Sequence, residues 1–259
     1  MKCLARWRER RQLQRYAIPE GLWRDTLHRY PFIARRPEAE LQRLRALCSL
    51  FLARKQFHAA GGLELSDAMA LAVAAQACLP VLELGLHLYD GTRGIVLHPG
   101  EVLASREDVD EHGVVHQWDE VLAGEAMPGG PLMLSWDAVS QGDDPEQPVF
   151  NVVIHEFVHL LDLRQGGEAN GLPEIADPAL RRRWVDGLPQ AWDRFADRVA
   201  HREPSCIDPY GCESLDEFFA VAAEAFFVAP FDLAQEDAAL YALLRDYFRQ
   251  DPAQPAQPA

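Results

Sequence analysis

The chain has 259 residues, is 48% hydrophobic, and carries 25 Lys and Arg against 40 Asp and Glu, for a net charge of −15 and a pI near 5.0. That apolar content is ample for a buried core, while the acidic balance argues against a nucleic-acid partner, because phosphate binding needs a basic face. No apolar run reaches membrane-spanning length, and no apolar segment with a cleavage site follows the basic start. Five cysteines without tight spacing argue against a disulfide framework and fit a cytoplasmic setting.

Residues 1–17 hold Lys2, Arg6, Arg8, Arg10, Arg11 and Arg15 and read as a flexible basic arm. Residues 18–250 read as one compact domain. A short helix is expected over residues 19–30, with Leu22, Trp23 and Leu27 on one side and Pro31 ending it. Residues 37–57 predict an amphipathic helix in which Leu41, Leu44, Leu47, Cys48, Phe51 and Leu52 form one stripe. Gly61 and Gly62 break that pattern, Leu63-Glu64-Leu65 reads as a short strand, and Ser66 is an N-cap for a helix running to about Cys78. Residues 80–88 are apolar around Glu83 and His87, a pair read as hydrogen-bonded in the core ahead of a metal half-site. Residues 95–98 predict a strand. Residues 100–130, rich in charge and glycine, read as loops with a strand near 114–116, and residues 132–135 read as a strand again.

The next stretch, Asn151-Val-Val-Ile-His155-Glu156-Phe-Val-His159-Leu-Leu-Asp162, contains His-Glu-x-x-His. Its apolar residues recur at helical spacing, with Pro148 placed for a first turn and Gly166-Gly167 for a stop. On a helix, positions i and i+4 lie one above the other. His155 and His159 therefore project side by side, with room for one tetrahedral metal at about 2.0–2.1 Å from each imidazole. Glu156 sits beside that position, where a carboxylate can take a proton from an activated water. Asp162, one turn beyond His159, can orient a ligand imidazole or stand solvated at the helix end. The strand over 132–135 comes just before this helix and can form a cleft edge that pairs with a peptide.

A catalytic zinc needs a third protein ligand and one open position. The metzincin continuation would require a Gly and then a His at three-residue steps; this chain has Asp162 and Gln165 there. The candidates further on are His201, Glu213, Glu217 and Glu224. A helix expected over residues 214–228 carries Glu217 and Glu224 seven apart on one face. Burying both among phenylalanines is costly unless one binds metal and the other supports it. Ser214-x-x-Glu217 also matches a capping box, so ligand and cap both stand open for Glu217. Other helices are expected from Asp177 past Pro189 and over residues 237–249. Residues 251–259, rich in Pro, Ala and Gln, read as a disordered tail.

Three stretches together resemble the Mlc titration factor A family of bacterial zinc metallopeptidases, themselves similar to the catalytic domain of anthrax lethal factor. They are Pro80-Val-Leu-Glu-Leu-Gly-Leu86, Ile154-His-Glu-Phe-Val-His-Leu-Leu-Asp162, and Ile207-Asp-Pro-Tyr-Gly211 leading into Glu217-Phe-Phe-Ala-Val221. The resemblance implies an α+β, zincin-like metallopeptidase core with a small twisted sheet and a mostly helical N-terminal part. It implies His155, His159 and Glu217 as ligands of one zinc ion, Glu156 as the base, and Tyr210 as an oxyanion donor. Glu224 is left a supporting role. Implied substrates are peptides, short or cleaved in aminopeptidase fashion. The family's namesake sequesters a transcriptional repressor, so a regulatory binding protein is the alternative.

Overall fold

The computed structural model describes residues 11–100, 102–109, 115–122, 124–126, 130–141, 149–165 and 168–254. Its helices are α1 (Glu20–Arg29), α2 (Pro31–Ala34), α3 (Glu38–Arg54), α4 (Asp67–Ala77), α5 (Trp136–Ser140), α6 (Val152–Asp162), α7 (Pro178–Ala200), α8 (Leu215–Val228), α9 (Pro230–Glu236) and α10 (Ala238–Phe248). The strands are β1 (Gln56–Ala59), β2 (Gly94–His98), β3 (Val102–Val109), β4 (Val115–Leu122), β5 (Gly124–Ala126) and β6 (Leu132–Ser135). A mostly helical chain thus folds around a small sheet, the expected α+β class with a zincin-like core. No helix among the described residues is long and apolar enough to cross a membrane.

The sheet runs β1-β2-β6-β5. β1, β2 and β6 are parallel, with Phe57 opposite Ile95 and Ile95 opposite Leu132; β5 is antiparallel to β6, with Glu125 opposite Met133. β3 and β4 form a separate two-stranded antiparallel ribbon. Residues 100–130 therefore hold three strands where loops and one strand near 114–116 were expected; β4 begins at that place, while β3 and β5 were unforeseen. The charges and glycines in this stretch hid the strands in the sequence, because antiparallel pairs need no continuous apolar run.

β1 was also unforeseen. The stripe of α3 extends into Phe57, but the helix stops at Arg54 because Lys55 turns extended (φ −98°, ψ 151°) and its ammonium donates to the carbonyls of Tyr89 and Thr92. The expected strand at residues 63–65 is absent; those residues form no ladder and Leu65 is exposed. Residues 80–88 are turns leading into a 3-10 turn, Leu86–Tyr89, rather than a core pair. Glu83 and His87 both face solvent, and Glu83 pairs with Arg43 at 2.6 Å.

α6 and α8 lie at the centre of the core. Every residue from Phe218 to Val228 is buried, as suits a helix apolar all round. Phe218, Phe219, Phe226 and Phe227 meet Trp184, Phe195, Tyr247 and Phe248 in edge, tilted and stacked ring contacts. α7 runs unbroken through Pro189, capped by Asp177.

At the ends, residues 11–15 of the basic arm are helical, and Leu13 packs partly on the core; residues 1–10 lie outside the described residues. Of the tail, residues 251–254 are tied down: the Tyr241 hydroxyl donates to Asp251, and the Ala253 N–H donates to Tyr241. Residues 255–259 lie outside the described residues.

Candidate metal centre

α6 begins at Val152 because Asn151 caps it, its side-chain oxygen accepting from the Ile154 N–H at 2.9 Å. Pro148, expected in the first turn, and Gly166-Gly167, expected as the stop, lie outside the described residues. One helical turn apart, the rings of His155 and His159 stand 4.7 Å apart at 73°. Their Nε2 atoms approach to 3.1 Å.

α8 supplies the third group. Oε2 of Glu217 lies 3.0 Å from Nε2 of His155 and 3.3 Å from Nε2 of His159. The capping alternative resolves in halves. Ser214 still caps α8, accepting from the Glu217 N–H at 3.4 Å. The Glu217 carboxylate gives up the reciprocal bond and turns to the imidazoles instead. His201 is exposed and bonds the Asp197 carbonyl of its own helix, and Glu213 is exposed.

The three ligand-type atoms form a triangle with edges of 3.0, 3.1 and 3.3 Å. A tetrahedral ion with bonds of about 2.0–2.1 Å sets ligand–ligand edges of about 3.3–3.4 Å, so the triangle is within a few tenths of an ångström of one face of that tetrahedron. Oε2 of Glu217 is buried without a well-directed hydrogen bond. Three lone-pair atoms converging on a common point, one of them otherwise orphaned, suit a cation better than a hydrogen-bond network. Among the described residues this is the cluster of three that can hold a metal.

Charge is distributed to match. Burial pushes the Glu217 carboxyl up, but the two imidazoles beside it outweigh burial and bring its pKa down to about 2. Burial works against a charged His155, yet Glu217 and Glu224 hold its pKa well above the ordinary value. Glu224, two turns beyond Glu217, is 1% exposed. One of its oxygens faces Nδ1 of His155 at 2.7 Å, and the other accepts from the Asn151 N–H. A carboxylate on Nδ1 selects the tautomer that leaves the Nε2 lone pair directed at the metal position.

Glu156 is buried directly below the edge strand. A Cβ added at Gly124 on β5 would lie 2.7 Å from its Cγ and 2.8 Å from its Oε1. The sheet edge over Glu156 is therefore β5, laid outside β6, and not β6 as the sequence suggested. Tyr210 sits in the 3-10 turn Pro209–Cys212, with its ring 6.2 Å from that of His155 and 46% exposed. The turn is pressed onto α8 at Gly211, where a Cβ would meet Val221 at 2.7 Å, and Trp192 donates to the Gly211 carbonyl.

Asp162 does not orient an imidazole. One of its oxygens accepts from the N–H groups of Asn170 and Gly171 at 2.8 and 2.7 Å, so it ties down the loop after α6. Its other oxygen is buried and has no hydrogen-bond partner among the described residues. The loop needs this anchor because Gly171 takes a left-handed φ of 76° under Leu215. Three neighbours of the site escaped the sequence reading: Gly124, Asn151 and Gln76. For Asn151 a signal existed, an Asx residue at the head of an apolar helix. For Gln76 it was a lone amide in an alanine-rich helix. Gly124 had none, since only the fold brings it over Glu156.

Comparison with known proteins agrees with this centre. The model of the glucose-regulated metallo-peptidase M90 family matches residues 4–249. The chain belongs to the M90 metallopeptidase family. It is 35% identical over 234 residues to Mlc titration factor A of Yersinia pestis, covering 89% of this chain and 84% of that protein. It is also 34% identical over 248 residues to an uncharacterized protein of Synechocystis sp., covering 95% and 89%. The M90 assignment agrees with two helices, α6 and α8, that bring two imidazoles and a glutamate around one point, a candidate metal site in a metallopeptidase family.

Proposed function

We propose that the chain is a cytoplasmic zinc-dependent peptidase, with one ion held by His155, His159 and Glu217 in a single catalytic unit over residues 18–250. The observation that carries this is the triangle of 3.0, 3.1 and 3.3 Å edges between the two Nε2 atoms and the glutamate oxygen. Two nitrogens and one oxygen are the ligand set of a catalytic zinc that keeps a fourth position open. Zinc there supplies Lewis-acid activation of a water and of a peptide carbonyl.

The remaining steps fall to the chain. Glu156, next to the ligands and shielded by β5, takes the proton of the attacking water and hands it to the leaving amine. The Tyr210 phenol donates to the oxygen of the attacked carbonyl. Glu224 holds the His155 ring through Nδ1. A peptide in extended form can add to the outer edge of β5, its backbone pairing with the strand above Glu156. Short peptides, trimmed from the amino end or cut internally, are the substrate class.

The test combines zinc content with turnover of short peptides. Wild-type protein should bind one zinc and lose hydrolysis to a chelator. Glu156→Gln should keep the zinc and lose turnover by a factor of about 10² or more. Glu217→Ala should lose zinc affinity. Unchanged zinc affinity in Glu217→Ala would refute the ligand set.

A second function is favoured by the 35% identity to proteins named Mlc titration factor A: binding and titrating a transcriptional repressor. Glu156→Gln separates the two, since repressor binding survives that substitution and hydrolysis does not.

A further inference from the structure

Gln76 lies on α4, a helix otherwise made of Asp, Ala, Met, Leu and Val, and is 1% exposed. A buried amide is costly unless its donor and acceptor are both used. Here both are. Its Nε2 donates to the Ala72 carbonyl at 3.0 Å, and its Oε1 accepts from Nδ2 of Asn151 at 2.7 Å.

Asn151 is used in full as well. Its Oδ1 accepts from the Ile154 N–H, its own N–H donates to Glu224, and its carbonyl accepts from the His155 N–H at 3.0 Å. The amide orientations are forced. Backbone groups sit at both ends of the chain: the Ala72 carbonyl can only accept and the Ile154 N–H can only donate. Each amide therefore has one allowed flip.

We propose that Gln76 and Asn151 are positioning residues for His155. They act at one and two removes through Glu224, setting the ring that faces the metal position. Gln76 anchors Asn151 to α4. Asn151 then fixes the first turn of α6 against Glu224. Glu224 in turn meets Nδ1 of His155 at 2.7 Å. His155 is thus held from its backbone and from its ring by one residue pair, Asn151 and Glu224, whose lateral position is set by a helix that carries none of the three candidate ligands. This rests on His155 being a zinc ligand. Gln76, Asn151 and Glu224 are all buried, so in this low-dielectric chain of hydrogen bonds a lost partner is costly to replace and a displacement is passed on.

The test uses Gln76→Leu, Asn151→Ser and the double variant, with zinc Kd measured by competition with a chromogenic chelator and thermal unfolding followed in parallel. Serine keeps a capping oxygen and the backbone N–H to Glu224 while removing Nδ2. Each single variant should weaken zinc about tenfold, as expected for outer partners of a metal ligand. The double variant should be no weaker than the worse single, because both remove the same link. Wild-type zinc Kd in both folded single variants, with only the melting temperature lowered, would overturn the proposal and leave Gln76 a core residue. Additive losses in the double variant would also overturn it. Failure of the underlying zinc assignment looks different: wild-type protein would bind no stoichiometric zinc, or Glu217→Ala would bind it as tightly.

Discussion

Gly124→Ala is the sharpest perturbation available, because it adds one methyl group whose three nearest atoms all belong to one side chain. The added Cβ would stand 2.7 Å from Cγ, 2.9 Å from Cδ and 2.8 Å from Oε1 of Glu156. Carbon atoms in contact settle near about 3.5–4.0 Å, so the pair must separate by about 0.8 Å or more. Glu156 is 6% exposed and Cγ is not the free end of its side chain, so it has little room to swing away. Among the described strands β5 pairs with β6 alone and can yield part of the distance. A misplacement of about 1 Å in a catalytic group costs about 10²-fold in rate; sharing the strain with β5 brings the expected loss to about 10–100-fold. Short-peptide turnover measures it, with zinc Kd as the control. The three atoms nearest the new methyl all belong to Glu156 and none to the proposed ligands, so zinc affinity should stay within about twofold. Turnover within about twofold of wild type, at full zinc occupancy, would refute the placement of Glu156 beneath β5.

Other outcomes follow from the same geometry. In metal-free protein, Glu217 has a folded pKa of about 2 against an ordinary 4.5. Its stabilisation, on the order of 3 kcal/mol, is present above pH 4.5 and is lost as pH falls towards 2. His155 is raised, so its contribution is full below about pH 6.5 and is lost as pH rises through the folded value. Metal-free protein should therefore be most stable on the acid side of neutrality, and zinc should stabilise it most at higher pH, where no proton competes; denaturant unfolding against pH, with and without zinc, checks both. Gly211→Ala should cost about 1–3 kcal/mol by overpacking, and Val221→Ala should restore most of it; equal stability of the single variant and wild type would contradict the tight approach to α8. Asp162→Ala should cost about 1–3 kcal/mol by stranding the Asn170 and Gly171 N–H groups without changing zinc Kd, whereas a tenfold weaker Kd would return Asp162 to the imidazole.

Local patterns in the chain were enough to place α3, α4, α6, α8 and α10, since apolar spacing, caps and prolines act within a turn or two of the residues that carry them. They were also enough to bring His155 and His159 together, because four residues on a helix are adjacent by geometry alone. The choice of Glu217 over His201, Glu213 and Glu224 was different in kind. Nothing within the helix over 214–228 distinguishes a ligand from a cap. α8 had to be packed against α6 before the Glu217 oxygen could be seen 3.0 Å from one imidazole and Glu224 on the other nitrogen of the same ring. The same holds for β1 and for the sheet edge over Glu156. Lys55 ends its helix for the sake of carbonyls 34 and 37 residues away, and β5 becomes an edge only once β6 has paired with β2. Hydrogen bonds and metal geometry that span the chain are set by where whole elements pack, and packing is decided by burial summed over the core, which no short window of sequence contains.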